Sequence, residues 1–353
     1  MKLYPNITII FIIWLAVVLI IFYFGFLSLP HSGKFSDDFF KSLSNWDGGH
    51  FLGIAEFGYQ EKFQYAFFPL YPLLIRGVNY MINNYLVTSL TISILSAFFA
   101  IHILYNLISL DFSKKFAENA VLTLLIFPTS FYFLTAYSES LFLLLTVSTF
   151  YFARKNKLFL ATISASLSSA TRLVGLATVL GFLVEVWLIW GINKKNWYVF
   201  LSLTGFIIYS LFLYNQTGDP FYFITAEKHW LRSLSVPGFG FLETFRSLAI
   251  PGFLEKNFSA FMDLIFAIFG LGLMIRSFRF LPPAYSFYGL ASIILPLFTP
   301  SLSSMPRFLL PIFPIFILIV FVKREYIGFA YQLISIMLLS IFTALFINGY
   351  WVS

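Results

Sequence analysis

The chain has 353 residues, of which 59% are hydrophobic and only 10% are charged, and its formal net charge is +7. Soluble domains carry about 25% charged residues, so this composition excludes an ordinary soluble protein and predicts a polytopic membrane protein. Because the chain contains no cysteine, disulfides, thiol catalysis and cysteine-ligated metal sites are excluded. Its cations are spread over short loops without a basic tail, which indicates membrane topology and no nucleic-acid partner.

Apolar stretches recur along the chain, and most are long enough to cross a bilayer. The first, 7–29, is too long for a signal-peptide core and lacks a small-residue cleavage pattern, so we expect it to be retained. About eleven transmembrane helices are predicted, over 7–29, 84–110, 117–135, 138–153, 158–171, 173–191, 197–214, 258–275, 284–299, 308–322 and 326–347. The prediction is an all-α polytopic bundle forming a single integral membrane domain, 1–353, with two long loops at 30–83 and 215–257.

Short loops rich in lysine and arginine face the cytoplasm in membrane proteins, and this rule orients the chain. With the N-terminus inside, the short inner loops and ends hold Lys2, Lys114, Lys115, Arg154, Lys155, Lys157, Lys194, Lys195, Arg276, Arg279, Lys323 and Arg324. The two long loops then lie outside. Within them, 36–44 and 227–249 mix charges with Phe, Leu and Trp, which predicts short helices lying in the membrane interface.

Polar residues that interrupt the apolar pattern gather on the outer face in this topology. Asp47, His50 and Glu56 lie in the first long loop, and Asp219, Lys228, His229 and Arg232 lie in the second. The other three, Glu139, Arg172 and Arg307, lie at the ends of predicted spans. Only the short inner loops were used to orient the chain, so this clustering is partly independent of the charge rule. It predicts a site on the non-cytoplasmic face.

Asp47 lies in the run Trp46-Asp47-Gly48-Gly49-His50, next to an apolar segment. A carboxylate in such surroundings can act as a general base. The two glycines would let a substrate approach the backbone closely. An alternative of equal weight is that Asp47 caps a helix over 50–57.

The other polar groups also have two interpretations each. Glu139, between two serines, either satisfies the N-terminus of a helix or orients an acceptor sugar and supports Arg172. Arg172 and Arg307 either extend to lipid headgroups or bind a phosphate through paired hydrogen bonds, and two arginines at separate breaks favour the phosphate. His50 and His229 lack the spacing of metal ligands, so a divalent metal is left open but unsupported.

Five motifs, taken together and in order, carry a family resemblance. They read WDGGHFLGIAEFGY with AFFPLYP, then FPTSFYFLTAYSES at 127–140, TRLVG at 171–175, GDPFYF at 218–223 and PRFLLPIFP at 306–314. This set resembles the PIG-V family, the relatives of GPI mannosyltransferase 2. The resemblance runs from Trp46 to Pro314, which is most of the chain.

The resemblance implies a GT-C glycosyltransferase architecture and transfer of a hexose, usually mannose, from a polyprenyl-phosphate donor on the non-cytoplasmic face. The acceptor is then a lipid or glycan, and displacement inverts the anomeric carbon. Asp47 matches the family's first-loop acid and is the expected base, while no paired acids support a metal. The residues expected to bind substrate are Trp46, His50, Glu139, Arg172, Asp219, His229, Arg232 and Arg307.

The absence of cysteine and the wealth of Phe, Ile, Lys and Asn favour a prokaryotic plasma membrane, with the ER membrane as the eukaryotic equivalent. The acceptor and any small membrane partner subunit are left open. A transporter or lipid-translocating protein is the competing class, because helices broken near Arg172 also suit transport. A non-catalytic subunit of such a complex would have lost the base, and Asp47 is present.

Overall fold

The described part of the chain consists of helices and connecting turns, without strands. The structure is a computed structural model that describes residues 3–250, 252, 257–322 and 325–352. Its α-helices are α1 Pro5–Ser28, α2 Phe39–Ser42, α3 Asp47–Phe57, α4 Leu70–Ile82, α5 Tyr85–Ile108, α6 Lys114–Leu125, α7 Glu139–Arg154, α8 Leu158–Thr171, α9 Gly175–Trp190, α10 Thr204–Thr217, α11 Tyr222–Ala226, α12 Phe239–Leu248, α13 Phe258–Ser277, α14 Pro283–Ile294, α15 Met305–Leu309, α16 Phe313–Val320 and α17 Glu325–Ile347. Short 3₁₀ helices cover Lys62–Ala66, Ser130–Leu134, Trp197–Leu203, Glu227–Trp230 and Leu295–Phe298. Three cations used to predict the topology, Lys2, Lys323 and Arg324, lie outside the described residues.

Five helical segments within the described residues are long and apolar enough to cross a membrane. They are α1, α5, the continuous segment Trp197–Thr217, α13 and α17. Three shorter apolar segments coincide with further predicted spans, namely Leu158–Thr171, Gly175–Trp190 and Pro283–Phe298. The remaining predicted spans correspond to α6, α7 and the pair α15–α16, which are shorter or carry more charge. The predicted all-helical, multi-pass membrane fold is confirmed.

Two predicted spans are interrupted where the sequence contains proline. Within the span predicted over 117–135, the α-helix stops at Leu125, shortly before Pro128, and a 3₁₀ helix follows. The span predicted over 308–322 is divided between α15 and α16, on either side of Pro311. Proline lacks a backbone N–H and its ring clashes with the preceding turn, so a continuous helix is disfavoured at both positions.

The break at Arg172 between α8 and α9 depends on a close backbone approach. Arg172 is extended, with φ −156° and ψ 152°, and α9 resumes at Gly175. A Cβ atom at Gly175 would lie 2.3 Å from the Ser168 carbonyl oxygen. Glycine therefore lets the chain turn tightly enough to leave the Arg172 side chain at the end of the bundle.

Helix packing places the ends of several helices together. Helix α7 packs between α5 and α8, α9 packs on α14, and α1 packs on α17. Hydroxyl groups link α7, α8 and α9 by hydrogen bonds. Thr146 hydrogen-bonds to Thr178 at 3.0 Å, and Ser168 hydrogen-bonds to Thr178 at 3.2 Å. Small polar residues of this kind let membrane helices approach closely.

The predicted interfacial segments contain short helices. The segment 36–44 contains α2, whose first turn is capped by the Asp38 carboxylate, which accepts from the Lys41 N–H at 2.9 Å. The segment 227–249 contains the 3₁₀ helix Glu227–Trp230 and α12. Helix α12 leaves Phe239, Leu242 and Phe245 exposed, as expected for an apolar face that meets lipid.

A strained turn before α15 is held by a buried acid from α13. Ser304 has φ +72°, a left-handed conformation that costs about 1–3 kcal/mol for a residue other than glycine. The next backbone N–H, that of Met305, donates to Asp263 Oδ1 at 3.0 Å. Asp263 is 3% exposed. This hydrogen bond therefore fixes the turn that carries Arg307.

We expect Asp263→Ala to lower the thermal stability of the detergent-solubilised protein, because it leaves a buried N–H unpaired at a cost of about 1–3 kcal/mol. Asp263→Asn keeps an acceptor oxygen and should melt close to the wild type in the same thermal-shift assay. If Asn destabilises as much as Ala, the carboxylate charge matters instead of the hydrogen bond.

The membrane orientation can be tested directly because the chain has no cysteine of its own. Lys62 and Lys195 are exposed and lie in loops predicted on opposite sides. We expect Lys62→Cys to react with a membrane-impermeant maleimide in intact cells and Lys195→Cys to react only after permeabilisation. Labelling of Lys195→Cys in intact cells would contradict the predicted orientation.

Candidate active site

A cavity of about 430 Å³ opens at the end of the bundle where α3, α7 and α9 begin. Charged side chains form one part of its wall: Asp47, Glu139, Arg172, Glu227, Arg232 and Arg307. Another part is apolar and includes Phe67, Phe68, Phe223, Leu295 and Phe298. The cavity can therefore accommodate a ligand that has both a charged group and an apolar group.

Four of these charged side chains form one ion-pair network. Arg307 donates from Nη1 to Asp47 Oδ2 at 2.7 Å, and its Nε lies 3.5 Å from Glu139 Oε1. Arg172 donates to the same Glu139 oxygen at 2.5 Å and to the Ser138 hydroxyl at 3.2 Å. The Glu139 side chain is 1% exposed and that of Arg307 8%, against 17% for Arg172 and 19% for Asp47. Two carboxylates balance two guanidiniums, which burial of charge requires.

The segment between α6 and α7 joins this network to the rest of the site. The Thr129 hydroxyl donates to the Pro306 carbonyl at 3.0 Å, next to Arg307. The Arg307 guanidinium carbon lies 5.6 Å from the centre of the Tyr137 ring, within the range of a cation–π contact. The Tyr137 hydroxyl in turn donates to the Asn45 carbonyl at 2.9 Å. The segment between α6 and α7 therefore positions both the residues before Asp47 and the start of α15, which carries Arg307.

The backbone around Asp47 is strained and tightly packed. Trp46 has φ 59° and ψ −124°, a combination that residues other than glycine rarely adopt. Helix α3 begins at Asp47, whose carboxylate bonds to Arg307 and does not cap the helix. A Cβ atom at Gly48 would lie 3.3 Å from the Tyr137 ring, so this glycine lets α3 pack on the protein and does not open the backbone to a substrate.

The two histidines belong to an aromatic cluster beside the cavity. The rings of Phe63 and His229 stack with centroids 4.2 Å apart, and Trp230 lies edge-on to His50, Phe63 and Phe67. Burial lowers the pKa of His50, which favours the neutral ring. Among the described residues, no group of three or more His, Asp or Glu is arranged to hold a metal ion. The cluster instead fixes the second long loop onto the first.

Arg232 is the cavity's third arginine and differs from the other two. Its Nη2 donates to the Ser303 carbonyl at 2.7 Å, and its guanidinium lies 5.2 Å from the centre of the Phe308 ring. No carboxylate of the described residues is within ion-pair distance of it. Burial lowers the pKa of Arg232, and the charge of nearby Glu227 offsets this only in part. The side chain is thus a partly buried cation that forms no ion pair with the described residues.

Glu227 and Trp351 are among the cavity residues that were not predicted from the sequence. Glu227 lines the cavity and burial raises its pKa, an effect that Arg232 opposes. Trp351 lines it too, and its ring meets that of Trp46 edge-on at 4.9 Å. Neither residue belongs to a recognisable motif. Only the folding back of the second loop and of the chain after α17 brings them to the site.

Three residues predicted to bind substrate lie outside the cavity lining, while Asp47, Glu139, Arg172, His229, Arg232 and Arg307 line it. Trp46 packs edge-on between the rings of Phe35 and Trp351. His50 lies in the aromatic cluster. Asp219 closes a local turn, in which its Oδ1 accepts from the Phe221 N–H at 2.8 Å. Their roles in substrate binding stay predictions.

Comparison with known proteins identifies relatives of this chain. The family profile described as Mannosyltransferase (PIG-V) matches residues 31–217, just over half of the chain. GPI alpha-1,6-mannosyltransferase 2 of Homo sapiens is 32% identical over 154 residues, which are 40% of this chain and 31% of the human protein. GPI mannosyltransferase 2 of Yarrowia lipolytica is 26% identical over 227 residues, 61% of this chain and 63% of the relative. The matches thus span less than two thirds of each relative's length.

A solved structure shares the fold. The crystal structure of ArnT from Cupriavidus metallidurans superposes with a TM-score of 0.53 at 16% identity, over 92% of this chain and 62% of that one. This likeness is one of fold, and the predicted GT-C-like bundle is confirmed. The profile match and the five sequence motifs agree with it, and the chain belongs to the PIG-V family of mannosyltransferases.

Proposed function

We propose that this protein is a membrane glycosyltransferase that transfers mannose from a polyprenyl-phosphate donor to a hydroxyl of a lipid or glycan acceptor. The observation that carries the proposal is one cavity, in a member of this family, that combines carboxylates, apolar walls and an arginine that forms no ion pair with the described residues. ArnT, which shares the fold, was crystallised with undecaprenyl phosphate bound. A polyprenyl phosphate has the two parts, an anionic headgroup and an apolar tail, that such a cavity suits.

We place the reaction on the non-cytoplasmic face. Helix α7 begins with Glu139 in the cavity and ends with Arg154 in a short loop predicted to be cytoplasmic. The helix is 16 residues long, so these two ends lie about 24 Å apart along its axis. The short-loop cations and the cavity therefore belong to opposite ends of the bundle.

Asp47 is the base in this proposal. Arg307 engages its Oδ2, whereas no described residue hydrogen-bonds to Oδ1. The free oxygen can accept the proton of the acceptor hydroxyl as that oxygen attacks the anomeric carbon. The bond from the anomeric carbon to the phosphate oxygen breaks on the opposite side, so configuration inverts and polyprenyl phosphate leaves. Arg307 holds the carboxylate in place for this step.

The leaving phosphate needs cationic partners that are not already neutralised. Arg172 and Arg307 are both paired with carboxylates, which weakens the prediction that these two alone bind it. Arg232 has no such pair among the described residues, so we assign it as the main phosphate ligand, with Arg172 beside it. Fixed donors aimed at developing charge are usually the largest contribution to catalysis. The competing transporter interpretation is not favoured, because the family is one of mannosyltransferases.

We expect Asp47→Asn to reduce turnover about 10²–10⁴-fold while the KM for the donor changes little, because the proton moves only in the transition state. The assay is incorporation of radiolabel from polyprenyl-phosphate-mannose into lipid or glycan by membranes carrying the protein. Glu56→Gln, an exposed change in the same helix, is the matched control. Absence of label transfer by the wild type would refute the proposed activity.

A purely positioning role for Asp47 predicts a different result. If Asp47 only orients Arg307, Arg307→Gln should lose as much turnover as Asp47→Asn. If Asp47 is the base, Asp47→Asn should lose more turnover than Arg307→Gln, because Arg307 then only holds the carboxylate in place. Wild-type turnover in a folded Asp47→Asn protein would exclude both roles.

We expect Arg232→Gln to raise the donor KM about 10–100-fold, the value of a hydrogen bond to a charged group. Arg232→Lys should restore part of the loss, because it returns the charge without the paired donors. Arg246→Gln, in the same loop but exposed and paired with Glu243, is the matched control and should behave as wild type. Unchanged donor kinetics in Arg232→Gln would place the phosphate elsewhere.

A further inference from the structure

Glu227 is a cavity carboxylate without an assigned partner. It lines the cavity, yet its side chain makes no hydrogen bond or ion pair with any described residue. The other cavity acids are engaged, Asp47 by Arg307 and Glu139 by both Arg307 and Arg172. Because Glu227 is only partly buried, its carboxylate oxygens are open to donors that enter the cavity, from water or from a ligand.

The backbone that carries Glu227 is held rigidly. It belongs to the 3₁₀ helix Glu227–Trp230, whose last two residues pack into the aromatic cluster of the first loop. The N–H of Arg232 closes the following turn by donating to the Glu227 carbonyl at 3.2 Å. Glu227 and Arg232 are therefore presented to the cavity from one fixed turn.

The surroundings decide what Glu227 can bind. A phosphate would be repelled by the carboxylate, and the described residues contain no group that could hold a metal ion beside it. In a hexosyl phosphate donor the hydroxyls are the groups that can donate to a carboxylate, and its two oxygens can accept from two neighbouring hydroxyls. In a hexose that carries phosphate at C1, the C2 hydroxyl lies on the adjacent carbon and the C3 hydroxyl on the next one.

We propose that Glu227 binds the C2–C3 diol of the transferred hexose while Arg232, on the same turn, binds the phosphate attached to C1. This inference rests on the proposed function, since it assumes a hexose-phosphate donor. It makes Glu227 a residue that determines sugar specificity, distinct from the base Asp47. The orientation at C2 distinguishes mannose from glucose, so Glu227 would contribute to that choice.

A double-mutant cycle between protein and donor tests the proposal with the full-length protein. The donors are polyprenyl-phosphate-mannose and its 2-deoxy, 3-deoxy, 4-deoxy and 6-deoxy analogues. The proteins are the wild type, Glu227→Ala, Glu227→Gln and the control Glu243→Gln, an exposed acid of the same loop. Because removal of the C2 hydroxyl alters the intrinsic reactivity of the sugar, the coupling is measured in place of the raw rate.

We expect Glu227→Ala to lower kcat/KM for the natural donor about 10–100-fold, the value of a hydrogen bond to a charged group. In Glu227→Ala, replacing the natural donor with the 2-deoxy or 3-deoxy donor should lower kcat/KM much less than it does in the wild type. The 4-deoxy and 6-deoxy donors should lower kcat/KM by the same factor in both proteins. Glu227→Gln keeps one acceptor oxygen, so its kcat/KM should lie between those of the wild type and Glu227→Ala. Glu243→Gln should match the wild type.

Three results would overturn the inference while leaving the proposed function intact. They are wild-type kinetics in Glu227→Ala, independent losses with all four deoxy donors, or an equal collapse of turnover with every donor in Glu227→Gln. The last would make Glu227 the base in place of Asp47, without affecting the proposed transfer of mannose. Failure of the wild type to use polyprenyl-phosphate-mannose would instead refute the proposed function, and the inference with it.

Discussion

The burial of charge at one end of a membrane bundle constrains the rest of this structure. Glu139 and Arg307 are almost inaccessible to solvent, and a buried charge is tolerated only when it is paired and hydrogen-bonded. Arg307 pairs with Asp47, although the two residues are 260 positions apart in the chain. Removing one partner from such a buried pair costs about 3–5 kcal/mol. The first loop, the start of α7, the break after α8 and the turn before α15 must therefore assemble together.

This balance of charge also gives the charged groups of the site two different roles. In the ion-pair network each guanidinium is matched by a carboxylate, so the network is suited to holding Asp47 and is poorly suited to attracting an anion. Arg232 and Glu227, which are not within ion-pair distance of each other or of the other described charges, are the cavity groups with unused capacity. The network thus supplies rigidity, and the second loop supplies the groups that can respond to a ligand.

Interruptions in helices create the site. Proline ends helices before Pro128 and Pro311, glycine permits the tight restart of α9 at Gly175, and Ser304 adopts a left-handed turn. In a membrane, irregular backbone is tolerated where protein covers it or where it lines a cavity. The interruptions near Pro128, Gly175 and Ser304 lie at the cavity end of the bundle, whereas the one at Pro311 lies deeper, where its carbonyl accepts from the Tyr288 hydroxyl at 2.9 Å. The strained residue Trp46 directly precedes Asp47, and Ser304 lies three positions before Arg307, as expected if strain is retained where side-chain placement matters.

The sequence by itself determined the fold class, most helix positions and the identity of the polar residues that matter. Long apolar runs leave few alternatives to membrane helices, and the α8 prediction over 158–171 agrees with the observed bounds. Motif order also sufficed to suggest the PIG-V family. These features are local, so they can be read from neighbouring residues.

Tertiary structure decided which polar groups meet. Sequence spacing could not show that Arg307 pairs with Asp47, that Gly48 packs on Tyr137, or that His50 is part of an aromatic cluster. It also gave no sign of Glu227 or Trp351 at the cavity, because neither lies in a motif. Pairing between residues hundreds of positions apart depends on how helices pack, and periodicity along one segment carries no information about that.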